Sequence, residues 1–214
     1  MTLAGKHILV TAGPTHEPID PVRMIANRSS GRQGFAIAAA AAKAGARVTL
    51  IAGPVALEAA QGIDRVDVET AEEMAHAVFA ALPADAAILV AAVADWRVAP
   101  SSTKLKKGAG PPELEFLPTR DILAELAASE RRPRLLVGFA AETERVVEHA
   151  TAKRRAKNSD WIVANDVSGD VMGGRRNRVH LVTAKGVEDW PEGSKEEVAE
   201  RLIERIADAL CSPS

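Results

Sequence analysis

Lys153 and Lys157 stand four residues apart in ERVVEHATAKRRAKN, so a helix would carry both ammonium groups on one face. A second set of cations, Lys104, Lys106 and Lys107, lies in the KLKK of a Gly/Pro-rich stretch. Asn27, Ser29, Ser30 and Gly31 immediately precede an alanine-rich helical pattern, and a helix start offers unpaired N–H groups and partial positive charge to an anion. Asp95 stands near the end of AAVADW and Phe139 ends LLVGF, adding a carboxylate and an aromatic face. Together these residue types suit phosphoryl chemistry, which needs positioning and charge neutralisation more than a covalent nucleophile. Each also has a plainer reading: the lysines as a solvated basic helix end, the serines as an N-cap.

Other chemistries are poorly served. No G-x-x-x-x-G-K-[ST] phosphate loop occurs, and no Ser/His/Asp or Cys/His set stands out. The single cysteine, Cys211, lies near the carboxyl terminus and reads as inert. A nicotinamide oxidoreductase is weakened because Gly13 and Gly34 are separated by a polar loop holding Glu17, Asp20, Arg23 and Asn27, and because the chain has no tyrosine for a Tyr/Lys acid–base pair. A non-catalytic nucleotide sensor remains open. It would use Asp95 and the lysines without requiring Asn27 or a lysine-bearing flap.

The elements that must position these residues alternate between β-branched runs and helical patterns, the signature of a parallel α/β sheet. Strands are expected at 7–12, 47–53, 86–94, 134–140 and 160–166. Helices are expected at 34–43, after Thr70, at 120–129, at 144–158 and after a Ser194/Glu197 capping box. VHLVTAKGVEDWP reads as a hairpin turning at Lys185 and Gly186. The stretch at about 98–118 breaks the alternation and reads as a flap with an alternating ELEFL strand, emerging where open α/β sheets bind ligands. The expected fold is therefore a Rossmann-like parallel sheet flanked by helices, with a flap insertion, in one domain spanning 1–214.

Composition agrees with that picture. The chain is 47% hydrophobic and 26% charged, enough for one large core, and its net charge of −2 gives no support for wrapping nucleic acid. No apolar run approaches the roughly 20 residues of a membrane span, and the start enters a strand directly, so a cytoplasmic protein is expected.

In order, TAGPTHEPIDPVR, IANRSSGRQG, AAVADWR, KLKK, GFAAET and IVANDVS resemble phosphopantothenoylcysteine synthetase, the ligase half of the bifunctional bacterial coenzyme A biosynthesis flavoprotein. The likeness runs from about residue 6 to 205. It implies a ligase that uses CTP with Mg²⁺ to join 4′-phosphopantothenate to L-cysteine through an acyl-cytidylate. It also implies a homodimer, and in nature a fusion to a flavin-dependent decarboxylase domain.

By the same resemblance, Asn27 handles the acyl-cytidylate, Arg23 lies on the same loop, and Ser30, Gly31 and Ala92 border the phosphopantothenate. Asp95, Thr119, Arg120, Asp121, Ile122, Phe139, Lys153 and Lys157 meet the nucleotide, while Lys104 serves the cysteine step from the flap. Trp96 departs from the tyrosine or phenylalanine of many relatives. Asp95 and Asp166 could reach a cation through water, yet either could be a structural cap, so no metal ligand is assigned.

Overall fold

The computed structural model describes residues 2–108, 112–166 and 176–211, without the side chains of 166, 176 and 177. HILVTA forms β1 (His7–Ala12), buried along its whole length. A strand covered on both faces reads as a continuous apolar run, which is why it was legible as a central strand. A small antiparallel hairpin follows, β2 (His16–Pro18) with β3 (Met24–Ala26). The chain continues through α1 (Arg32–Lys43), β4 (Arg47–Ala52), β5 (Ile63–Asp67), α2 (Ala71–Ala80) and β6 (Ala86–Leu89). Two short strands, β7 (Trp96–Arg97) and β8 (Leu117–Pro118), pair with each other. Then come α3 (Ile122–Ala128), β9 (Leu135–Glu142), α4 (Val146–Ala156), β10 (Trp161–Asp166), β11 (Arg176–Thr183), β12 (Gly186–Asp189), β13 (Gly193–Ser194) and α5 (Lys195–Cys211).

The main sheet runs β12-β11-β10-β9-β6-β1-β4-β5, with β13 pairing β11 off that path. From β5 to β10 every pairing is parallel, and β11 and β12 add an antiparallel edge. This is the expected Rossmann-like sheet. Successive residues of β1 feed opposite cores: Ile8 and Val10 pack with Ile37, Leu202 and Ile206 under α1 and α5. Leu9 packs with Met74, Val78, Leu126 and Ala150 under α2, α3 and α4. The chain winds outward from β1 to β5 and returns as β6 on the other side of β1, so the strand order reverses there. Such a reversal leaves a crevice beyond the carboxyl ends of the strands.

Local signals fare unevenly. Thr70 and Glu73 form a reciprocal capping box at α2. Ser194 and Glu197 do the same ahead of α5, the Ser194 N–H donating to Glu197 at 2.7 Å and the Glu197 N–H to Ser194 Oγ at 3.1 Å. The expected strand at 86–94 stops at Leu89. Beyond it the Thr11 hydroxyl accepts from the N–H groups of Val90 and Ala91, and the Ala92 N–H donates to Gly13, bending the segment across the top of β1. Of ELEFL only Leu117 enters a strand, because among the described residues the partner it meets is the two-residue β7. Among the flap residues, 109–111 lie outside those described. No described helix is long and apolar enough to cross a membrane.

Candidate active site

The interrupted glycine pattern is rejoined in space. A Cβ on Gly31 would lie 3.5 Å from Gly13 Cα, and one on Gly34 would sit 2.5 Å from Ala12 Cβ. The strand–turn–helix unit is thus closed, with the β2–β3 hairpin looped out of its middle. Gly31 occupies the left-handed region, with φ 74°, and supplies no side-chain cap. The plain serine N-cap is therefore not the one used, and the start of α1 opens on a cleft of about 720 Å³ that residues 27–34 help to line. A helix start in that position favours a bound anion.

The hairpin's two carboxylates face inward. Glu17 is buried and accepts the N–H of Ala71, the first residue of α2, at 2.8 Å. Asp20, also buried, accepts from the N–H groups of Val22 and Arg23 at 2.9 Å each and from Arg23 Nε at 3.0 Å. It also accepts the Leu105 N–H at 3.1 Å. The Arg23 guanidinium beside it holds the Asp20 carboxyl well below the usual carboxylate range, against the opposing effect of burial.

Asn27 reaches the other way. Its amide nitrogen donates to Val93 O at 2.9 Å and lies 3.4 Å from Ala92 O. The segment it touches, 90–95, forms one wall of the cleft and is tied from below: the Thr15 hydroxyl accepts the Ala94 N–H at 3.0 Å, and the Thr119 hydroxyl donates to Ala94 O. The Thr119 N–H donates to Asp95 O at 3.1 Å, leaving the Asp95 side chain exposed at the rim.

Across the cleft, Lys153 donates to Phe139 O at 2.7 Å. Burial pushes its ammonium below the ordinary lysine range, while the charges of Glu142, Asp121 and Asp95 oppose that fall. Lys157 pairs with Asp121, whose carboxylate also caps α3 by accepting the Ala124 N–H at 3.1 Å. Arg120 is engaged by Glu125 and Glu72, with Glu125 the stronger influence in raising its pKa. Ile122 is buried at the start of α3.

The cleft brings together Asn27, Ser30, Gly31, Ala92, Asp95, Thr119–Ile122, Phe139, Lys153 and Lys157. Arg23 and Lys104 are absent from its lining. Arg23 pairs with Asp20 instead, and Lys104 is exposed on the segment between β7 and β8.

Sequence reasoning missed Arg28, Arg32, Asn165 and Lys195, which also line the cleft. Asn165 Oδ1 is buried and has no hydrogen-bond partner among the described residues. Its signal was a polar residue near the carboxyl end of the IVAND strand. Lys195 carried none, since the capping pattern around it announced only a helix start. Among the described residues no group of three or more His, Cys, Asp or Glu side chains could hold a metal ion.

The model of the family described as the DNA/pantothenate metabolism flavoprotein C-terminal domain matches residues 3–210. The chain is 45% identical over 207 residues to the coenzyme A biosynthesis bifunctional protein CoaBC of Escherichia coli (strain K12), across 94% of this chain and 51% of that protein. It is 43% identical over 210 residues to a cysteine/cysteine sulfinic acid decarboxylase of an unknown prokaryotic organism, across 95% of this chain and 58% of that protein. The chain therefore spans only about half the length of these curated relatives. The solved C-terminal domain of a coenzyme A biosynthesis bifunctional protein CoaBC superposes with a TM-score of 0.82 at 41% identity, covering 97% of this chain and 96% of that one.

Proposed function

The chain belongs to the family of DNA/pantothenate metabolism flavoprotein C-terminal domains, and on that premise we propose that it is a phosphopantothenate–cysteine ligase that uses CTP. The carboxylate oxygen of 4′-phosphopantothenate attacks the α-phosphorus and pyrophosphate leaves. The amine of cysteine then attacks the acyl carbon, the bond to the cytidylate oxygen breaks, and CMP departs with phosphopantothenoylcysteine formed. The observation that carries this reading is convergence: the Asn27 amide, the α1 start and the Lys153/Lys157 face all meet in one cleft of about 720 Å³. The 41% identical solved domain, which the chain matches across nearly its whole length, supports it as well.

The residues take roles that follow from their chemistry. Lys153 and Lys157 neutralise the triphosphate, the α1 start supplies N–H donors to a phosphate, and Phe139 offers a face to the base. Asp95 and the Thr119–Ile122 turn border the nucleotide. Asn27, with Ser30, Gly31 and Ala92, borders the acyl group. Lys104 acts in the cysteine step from its own segment, and Arg23 acts from the hairpin.

Mg²⁺ accompanies the triphosphate as its counter-ion. With no protein cage among the described residues, phosphate oxygens and water would supply most of its ligands, with Asp95 and Asp121 the exposed carboxylates on the lining.

A homodimer belongs to the same proposal. Val22, Met24, Trp96 and Phe116 are exposed at 64%, 53%, 53% and 54% on the hairpin and the flap, and covering them in an assembly would remove that apolar surface from water. Relatives about twice as long and named bifunctional support a further half on the natural polypeptide, which we take to be the flavin-dependent decarboxylase.

Incubation with CTP, Mg²⁺, 4′-phosphopantothenate and cysteine tests the proposal. Release of CMP and pyrophosphate in step with product is the expected result. Nucleotide binding without turnover would instead leave a sensor, and tight NAD binding an oxidoreductase.

A further inference from the structure

The turn joining β2 to β3 grips a distant stretch of chain. The Ser101 N–H donates to Ile19 O at 2.9 Å, the Leu105 N–H donates to Asp20 at 3.1 Å, and Arg23 Nη2 returns a bond to Leu105 O at 2.9 Å. Leu105 thus has both main-chain polar groups held by one ion pair, and it lies between Lys104 and Lys106. The Asp20 side chain is 0% exposed, whereas its partner Arg23 is 43% exposed. A carboxylate so withdrawn from water is tolerated only when its oxygens are fully paired, and here the Val22, Arg23 and Leu105 N–H groups and the Arg23 guanidinium do that. Folding the turn would need only the local bonds to Val22 and Arg23. The bond to Leu105 crosses to another element and has a different consequence.

We infer that Asp20 is a positioning residue for the ligase: through its buried carboxylate and Arg23 it holds Leu105, and so sets where Lys104 stands relative to the hairpin that ends in Asn27. The inference rests on the ligase reading for its functional half, while the grip itself is testable without it.

Limited trypsin digestion reads the grip directly, by the rate of first cleavage after Lys104, Lys106 and Lys107. Asp20→Asn should raise that rate about ten-fold or more, the effect of losing charge-assisted hydrogen bonds. Leu105→Pro removes the N–H that Asp20 accepts while leaving Asp20 and Arg23 themselves intact, and should accelerate cleavage after Lys106 and Lys107 even if Asp20→Asn folds poorly. Unchanged cleavage in both folded variants overturns the inference, whatever reaction the protein performs.

Activity then reads the positioning. Asp20→Asn should slow the cysteine step with little change in CTP affinity, and combined with Lys104→Gln it should add almost nothing to the single Lys104→Gln defect. Fully multiplicative defects would mean that Asp20 acts independently of Lys104, and would also overturn the inference.

Discussion

The ammonium of Lys153 donates to the main-chain carbonyl of Phe139 at 2.7 Å, joining α4 to β9 at the wall of the cleft. One of its three N–H bonds is thereby engaged, and the other two remain for a phosphate. This contact sets the lysine's height in the cleft independently of any ligand.

Lys153→Ala should weaken CTP binding about ten-fold at low ionic strength, and the difference from wild type should shrink as salt is added. Calorimetric titration at two salt concentrations measures it. An unchanged affinity would reduce Lys153 to a tie between α4 and β9.

The same lysine gives a pH dependence of definite sign. Burial lowers its folded pKa below the unfolded value of about 10.4, so between the two the unfolded chain binds more protons and stability rises with pH. CTP affinity should move the opposite way over that window, because only the protonated amine attracts phosphate. Glu142 supports the charged form, so Glu142→Gln should shift the loss of affinity to lower pH. Titrations from about pH 7 to 10 on both proteins decide it, and coincident curves would remove Glu142 from the account.

Asn27→Asp places a carboxylate where an amide N–H now meets Val93 O at 2.9 Å. Two acceptors then oppose each other, and the wall at 90–95 loses its tie to the hairpin. We expect the variant to form acyl-cytidylate but to pass it to cysteine slowly, so that intermediate accumulates. A quenched reaction with labelled CTP, with and without cysteine, should reveal it. Failure to release any pyrophosphate would assign Asn27 to the first step instead.

Gly34→Ala should destabilise the fold even though alanine is the better helix former. The added methyl would lie 2.5 Å from Ala12 Cβ and 3.1 Å from Thr11 O, forcing α1 off β1. Overpacking of this kind costs about 1–3 kcal/mol, which exceeds the gain in helix propensity of about 1 kcal/mol. Denaturant unfolding should show a lowered midpoint, and a raised one would mean that α1 can shift freely.

Sheet and helices were legible because their signals are local. β1 needed only its apolar run, and α2 and α5 needed only Thr70/Glu73 and Ser194/Glu197. Strand β5, IDRVD, escaped because three of its residues are exposed and two of those, Asp64 and Asp67, are charged, as an edge strand permits. Most of the site residues expected from motifs in register, from Asn27 to Lys157, do line the cleft. The partners of Asp20 and Glu17 were not, since Leu105 and Ala71 are fixed by tertiary packing and leave no pattern near the carboxylates.

Glu17 has a bearing on which pieces of this fold can be exchanged. Because its carboxylate receives the first N–H of α2, a graft cut at Pro14 and Gly31 would leave the Ala71 N–H without its acceptor in the recipient and a stranded acid in the transplanted piece. Asp20 and Ile19 extend the dependence to Leu105 and Ser101. The smallest portable module is therefore discontinuous: the β2–β3 hairpin, the Thr70–Ala71 turn and the 98–105 segment must travel, or diverge, together.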